Sequence, residues 1–281
     1  MAEHPHVELV RRAFRAMSEG DGAALVENVT ADFVLNIPGD HLLSGEHKGR
    51  DADRQIFDQV RQETDNTYRP EPQRLFIDGR GHLICEWRTV ADRRGRHLDA
   101  LSAALFTIAG GRIASAEQHE EDIDALNEFW SATGEQASAA GSADRRRESS
   151  AARRPEVELV RRTLQGMSQG DSAILSETAT SDVMLHVPGN HRFSGEHKGL
   201  DALRQLLDRL RAETDGTARW ETQHVYVDGS GHAIGTRRMT ADRRDRHLDE
   251  LGAAHCTIVG GRLTDVLLCE ENLDAVNQFW S

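Results

Sequence analysis

The sequence predicts an α+β protein made of two copies of one domain, and three observations predict it. The chain matches itself without a gap at an offset of 150 positions, from Pro5 against Pro155 to Trp130 against Trp280. Roughly half of the paired positions are identical, the mark of tandem duplication and not of chance self-similarity. Within each copy, apolar residues first recur at helical spacing and then alternate in strand-like runs divided by Gly turns. Helices followed by antiparallel hairpins are an α+β pattern and argue against a doubly wound sheet. Between the copies, residues 131–153 hold almost no apolar content beyond alanine. The expected organisation is therefore a first domain over 1–130, an Ala/Ser/Arg-rich linker over 131–153 and a second domain over 154–281, the linker being long enough to let the two copies pack as a pseudo-dimer.

In order along one copy, Val7, Val10, Phe14 and Met17 fall on one stripe of an amphipathic helix that Gly20 ends. Asp21 begins a second short helix carrying Leu25 and Val26. Phe33 to Ile37 reads as a strand stopped by Pro38-Gly39, after which the Pro-Gly-x-His segment is a loop. Asp51 to Arg61 returns to helical spacing through Ile56, Phe57 and Val60, repeated in the second copy as Leu203, Leu206, Leu207 and Leu210. Four strands follow, over 73–77, 82–90, 97–108 and 112–119, separated by Asp78-Gly79, Arg94-Gly95 and Gly110-Gly111. Arg93-Arg94-Gly95-Arg96 and Arg243-Arg244-Asp245-Arg246 sit at such a turn, and the simplest reading is a solvated hairpin tip.

Composition narrows the function classes. With 38% hydrophobic and 29% charged residues the chain has ordinary globular content, and no run approaches the roughly 18 apolar residues that cross a bilayer. Residues 1–6 show no secretion signal, so a cytoplasmic location is expected. A formal charge of -13 disfavours nucleic acid as a partner. Cys85, Cys256 and Cys269 have no counterpart in the other copy, so they are read as buried hydrophobes and not as a disulfide framework or metal knuckle. There is no Gly-rich phosphate loop and no Gly-x-Ser-x-Gly elbow, so no cofactor is expected.

Several polar residues are candidates for chemistry. His97 and Asp99, with His247 and Asp249, stand two apart on a strand and so share a face; a carboxylate beside an imidazole is the arrangement of a general base. The alternative is a solvated pair just past a hairpin tip. His41 with His47, and His191 with His197, invite a metal reading, but no acid or Cys stands at zinc-site spacing. The other possibilities are that His41 borders a pocket mouth or that the rings hold loop carbonyls. On the last strand His119 precedes Asp122, and the two either line a pocket or cap the closing helix. Trp87 and Phe106 suit either a core or a ligand platform.

The helix pair, the strand into Pro38-Gly39, the Ser44-Gly45-Glu46-His47-Lys48-Gly49-Arg50-Asp51 lead into the third helix, the Gly110-Gly111-Arg112 turn and the closing Asp122–Trp130 segment, all present twice, resemble the SnoaL-like branch of the NTF2-like superfamily. The resemblance implies two tandem cone-shaped α+β barrels, each a curved mixed sheet wrapped round helices with a mostly apolar pocket. It also implies a choice among many chemistries, because ketosteroid isomerases, polyketide cyclases, epoxide hydrolases and plain ligand binders share the scaffold. Isomerase members place an acid near the end of the first strand, where this chain has Ile37 and Val187; Asn36 and His186 are the polar residues beside them. The cyclase pattern, a histidine on the penultimate strand with an acid on the last, falls near Leu105 and His119 in one copy and near His255 and Cys269 in the other.

The leading expectation is cofactor-free acid/base catalysis on a small apolar molecule in natural-product metabolism. Its catalytic candidates are His97, Asp99, His119, His247, Asp249 and His255. The substrate-binding candidates are Asn36, His41, Trp87, Phe106, His186 and His191. The alternative is non-catalytic binding or sequestration. This small-molecule reading requires hollow cones, with His97, Asp99 and His119 turned inward.

Overall fold

The computed structural model describes residues 4–131, 154–171 and 173–281; most of the linker expected over 131–153 lies outside them. The chain divides into two compact units, one mainly from each copy. In the first unit α1 (Pro5–Glu19), α2 (Gly22–Glu27) and β1 (Val29–Ile37) are followed by a short β2 (Gly45–Lys48) and α3 (Arg50–Glu63). Strands β3 (Arg69–Ile77), β4 (His82–Arg93), β5 (Arg96–Ala109) and β6 (Arg112–Glu120) precede a closing α4 (Ile123–Trp130). The second unit repeats the series as α5 (Pro155–Gln169), α6 (Ala173–Thr178), β7 (Ala179–Val187), β8 (Gly195–Lys198), α7 (Leu200–Glu213), β9 (Arg219–Val227), β10 (His232–Arg243), β11 (Arg246–Val259), β12 (Arg262–Glu270) and α8 (Leu273–Trp280).

Local chemistry sets these boundaries. Pro5 opens α1 at a position that needs no N–H donor, and Gly20 ends it in the left-handed conformation at φ 77°. That positive φ strains any larger residue there, and a side chain at Gly20 would also meet the flexible tip of Arg61. Asp21 caps α2 by accepting the Ala24 N–H at 2.9 Å, and Asp122 caps α4 by accepting that of Ala125 at 3.0 Å. Arg94 and Gly95, both at positive φ, form a two-residue turn that matches the twist of the β4–β5 hairpin.

In the first unit the strand order is β2-β1-β6-β5-β4-β3, antiparallel except for the parallel β1–β6 pair. The second unit repeats this as β8-β7-β12-β11-β10-β9. Each sheet is mixed and strongly curved, with its helices on the inner side. Strand β3 begins earlier than sequence spacing suggests, through Pro70 and Pro72. Proline is tolerated there because β3 is the terminal strand of its unit's sheet.

One sequence expectation is corrected. Arg93 and Arg243 are not solvated; each is 2% exposed. Arg93 pairs with Glu63 on α3 at 2.8 Å and donates to the carbonyls of Phe129 and Ser131 at 2.9 Å. Its guanidinium also lies 5.7 Å from the Trp130 ring centre. Arg243 repeats the arrangement with Glu213, Phe279 and Ser281. The alternation of β4 turns Arg93 inward, where a hairpin-tip reading had placed all the arginines in water. Replacing Arg93 by alanine leaves Glu63 with Arg94 alone and takes the Arg93 donor from the Phe129 and Ser131 carbonyls, which should lower unfolding free energy by about 2 kcal/mol. Urea titration followed by tryptophan fluorescence checks this, and lysine at this position should recover less than half of the loss because it lacks the guanidinium fork.

Candidate functional site

The first unit encloses a cavity of about 150 Å³. Helix α1 contributes Phe14 and Met17, α3 contributes Ile56, Phe57 and Val60, and the sheet contributes alternate residues of its strands. On β5 these are Leu98, Ala100, Ser102, Ala104 and Phe106. Side chains alternate along a strand, so residues 97, 99, 101 and 103 face the other way. Phe14 packs edge-on against Trp87 and Phe106 with ring centres 5.4 and 6.4 Å away, which makes that wall apolar and stiff.

Three polar features interrupt this surface. Asp53, in the first turn of α3, lines the cavity at 8% exposure, and its Oδ2 is buried with no hydrogen-bond partner among the described residues. Burial pushes its carboxyl from the usual 3.8 up to about 6, because the charged form loses its water. Ser102 and Gln118 form a polar shelf on the sheet side, donating to the carboxylate of Glu120 at 2.7 and 2.5 Å. Glu120 is 1% exposed, and burial raises it to about 7 against the lowering effect of these two donors. The third feature is a short chain in which the Trp87 Nε1–H donates to Thr89 Oγ1 at 3.1 Å while Thr89 also bonds Tyr68. Burial pushes the Tyr68 phenol up to about 12, so it stays a neutral hydroxyl.

His41 completes the lining. The loop that carries it is locked by Ser44, whose Oγ accepts the His41 N–H at 3.0 Å and donates to the Pro38 carbonyl at 3.2 Å. His41 Nδ1 accepts the Leu43 N–H at 3.2 Å, which places the ring proton on Nε2. Burial lowers its pKa to about 4, so the ring is neutral at pH 7. His191 repeats this with the Phe193 N–H and is likewise lowered to about 4. His47 and His197 lie 2.9 Å from the carbonyls of Leu43 and Phe193, fixing the loop to the short strand. The loop-carbonyl reading thus describes His47 and His197, and the pocket-mouth reading describes His41.

The second unit has its own cavity of about 140 Å³, with His191, Trp220, Met239 and Trp280 among its walls. Leu203 stands where the first unit has Asp53, and Arg237 stands in place of Trp87. Arg237 and Glu270 form a buried ion pair at 2.6 Å, each bordering the cavity. The same fold thus carries a chamber lined by one raised carboxyl, Asp53, with Glu120 behind its wall, and a chamber whose one lining carboxylate is already matched by a guanidinium.

A SnoaL-like domain model matches residues 10–116 and, again, residues 160–266. The chain belongs to the SnoaL-like family. Uncharacterized proteins of Mycobacterium tuberculosis and Mycobacterium bovis are 32% identical to it over 126 residues, 45% of this chain and 96% of each relative. Among solved structures, Bal32a from a soil-derived mobile gene cassette is similar at 30% identity and a TM-score of 0.43, covering 45% of this chain and 96% of that one. An NTF2-like protein from Burkholderia xenovorans is similar at 20% identity and a TM-score of 0.40, covering 46% and 98%. Each of these spans about one SnoaL-like unit of the present chain.

Both SnoaL-like units are hollow, but the catalytic candidates read from sequence do not line them, so the small-molecule reading fails in the form that needed His97, Asp99 and His119 turned inward and any such reading has to rest on other residues. His97 is exposed and pairs with Asp92 at 2.8 Å, not with Asp99. Asp99 forms a two-pronged pair with Arg88 at 2.6 and 2.5 Å on the outer face. His247 with Asp242, and Asp249 with Arg238, repeat this. His119 is fully buried yet lies on the opposite face of β6 from the cavity-lining Gln118, its Nδ1 3.0 Å from the Glu117 carbonyl. His255 stacks on His232 at 5.6 Å and alternates out of the chamber between Ala254 and Cys256. Asn36 and His186 point outward too, because Leu35, Ile37, Leu185 and Val187 take the inner face; His186 bonds Asp265 at 3.1 Å. His41, Trp87, Phe106 and His191 do line the cavities. Asp122 is the α4 cap, and Cys85, Cys256 and Cys269 are buried thiols. Among the described residues, no group of three or more His, Cys, Asp or Glu could hold a metal, and no helix is long and apolar enough to cross a membrane.

Sequence reasoning missed Asp53, Glu120 and the Arg237–Glu270 pair. A signal for the first was available: Asp53 aligns with Leu203, the leading member of the apolar stripe Leu203, Leu206, Leu207 and Leu210. A raised carboxyl also fixes a pH signature. The unfolded Asp53 carboxyl ionises near 3.8 and the folded one near 6, so the folded state holds the proton more tightly and loses stability as pH rises through that window. Relative to the parent, Asp53→Asn should therefore gain about 3 kcal/mol in unfolding free energy between pH 3 and pH 7. Denaturant unfolding at both pH values measures it, and an unchanged difference would show that the carboxyl is solvated.

Proposed function

We propose that the first SnoaL-like unit binds a small, mostly apolar molecule and exchanges a proton with it through Asp53, in a cofactor-free step such as cyclisation, isomerisation or epoxide opening. One observation carries this reading: a carboxyl with an unpartnered oxygen borders a mostly apolar chamber, where burial raises its pKa to about 6. A group whose pKa lies close to working pH serves as base and as acid with little driving-force loss in either direction. The shelf of Ser102 and Gln118 orients a polar atom of the ligand from the sheet side, and Glu120 behind it acts as a positioning residue. His41 and the Tyr68 hydroxyl, both neutral, supply hydrogen bonds without adding a charge. His97 and Asp99 have no part in this scheme.

The second SnoaL-like unit fits the non-catalytic reading better. Leu203 removes the titratable group, and the walls are apolar apart from His191, Thr163 and the Arg237–Glu270 pair. A chain with one reactive and one binding chamber reconciles the two readings that sequence left open.

On a panel of aromatic ketones, epoxides and polyketide-like polyphenols, Asp53→Asn should lower kcat on order of 100-fold or more with little change in KM. The parent rate should rise through a midpoint near pH 6 if Asp53 acts as the base and fall through it if Asp53 acts as the acid. His97→Ala and Asp99→Asn should leave rates unchanged. Ligand recovered chemically intact from the parent and from Asp53→Asn alike would leave the first unit a binder.

A further inference from the structure

The second chamber contains a feature that neither stability nor the duplicated fold explains. Arg237 and Glu270 are 4% and 5% exposed and border the cavity side by side. The two guanidinium nitrogens Nη1 and Nη2 donate to Glu270 Oε2 at 3.2 Å and Oε1 at 2.6 Å. A buried pair of this kind contributes little to folding, since well-packed apolar residues of similar size commonly do as well or better. Three differences between the copies nevertheless install it together. Arg237 replaces Trp87, Leu268 replaces Gln118, and Gly252 replaces Ser102. A Cβ at Gly252 would stand 1.8 Å from Arg237 Nη1 and 2.3 Å from Glu270 Oε2, so the pair in this arrangement occupies the space that a side chain at 252 would take.

The chamber's other properties state what such a pair selects. Its volume of about 140 Å³ is that of a cavity that takes one aromatic ring. The walls are leucine, valine, methionine and tryptophan, so the body of an occupant is apolar. The two contacts with Glu270 engage two of the five guanidinium N–H donors, which leaves donors for an acceptor atom. The His191 Nε2–H is buried without a partner among the described residues and adds another donor at the same chamber. The positive and negative charges already cancel. An anionic or cationic occupant would add an unmatched charge to a mostly apolar interior, at a cost of several kcal/mol.

We infer that the second chamber is a binding site for an uncharged, single-ring-sized molecule bearing a carbonyl or similar acceptor, which Arg237 recognises while Glu270 keeps the site electrically closed. This rests on the reading of the second unit as a binder. It adds the chemical class and the residue that reads it.

The test uses the full chain with acetophenone, the carbonyl-free ethylbenzene and the anion benzoate at pH 7. Binding is followed by the indole NMR signals of Trp220 and Trp280, which line this chamber, with Trp87 and Trp130 reporting on the other. Acetophenone should shift Trp220 or Trp280 with a Kd at least tenfold below that of benzoate. In the double variant Arg237→Met with Glu270→Met, the preference for acetophenone over ethylbenzene should fall at least fivefold. Benzoate binding as tightly as acetophenone overturns the proposal without any variant. So does an unchanged preference in the folded double variant, or acetophenone shifts confined to Trp87 and Trp130. Absence of any shift at Trp220 and Trp280 with all three probes removes the binder reading as well, whereas shifts without discrimination remove the proposal alone.

Discussion

The constraint on which this protein depends is dehydration of the inner face of a curved sheet. A mixed sheet wrapped round three helices leaves a space that side chains do not fill, lined mostly by apolar groups. Every ionisable group that points inward must then give up its charge, find a counter-charge or be held by donors. The two units meet this demand differently. Asp53 responds by holding its proton to about pH 6, and Glu120 by taking donors from Ser102 and Gln118. Glu270 responds by pairing with Arg237. At Asp99 and Asp249 the outer face is exposed, which is why they can sit there in arginine pairs worth little to the fold.

Much of the fold was legible because its signals are local or repeated. Gly20, Asp21, Asp122 and the Gly110-Gly111 turn each dictate a boundary by backbone chemistry alone, and the second copy provides an independent reading of every helix stripe. Strand starts were less legible where proline sits, as at Pro70 and Pro72, since tolerance of proline depends on a strand's place in the sheet. The site was less legible still. An imidazole two residues from a carboxylate shares a strand face with it, but which face is inside depends on the neighbours. Leu98 and Ala100 decide that question, and both had been available as the apolar members of the alternation. Attention to polar motifs favoured His97 and Asp99, whereas the apolar residues between them marked the cavity side.

Asp53 illustrates the converse. It lies among Asp51, Arg54 and Asp58, so as composition it looks like part of a solvated helix face. Its spacing to Ile56, Phe57 and Val60 puts it on the buried stripe instead. Glu120 was hidden for another reason: its donors come from β5 and β6, and pairing of Ser102 with Glu120 is a matter of register that spacing within one strand does not reveal. Arg237 and Gly252 are likewise separate in sequence and adjacent across β10 and β11. Comparison of the two copies locates such pairs as positions that change together, which a single domain would not have offered.

The arginine that closes each cone has a further effect on the last element of its unit. A helix of eight residues does not persist in water on its own. Helix α4 ends on carbonyls that receive their donors from Arg93, a residue 36 positions earlier, and Trp130 on that helix also forms part of the chamber wall. The roof of the chamber is therefore fastened to the floor of a hairpin by two arginines, since Arg96 also donates to the Glu128 carbonyl and to Ser131 Oγ. Its order is inherited from the sheet, and loosening of these anchors reaches the enclosed space through Trp130.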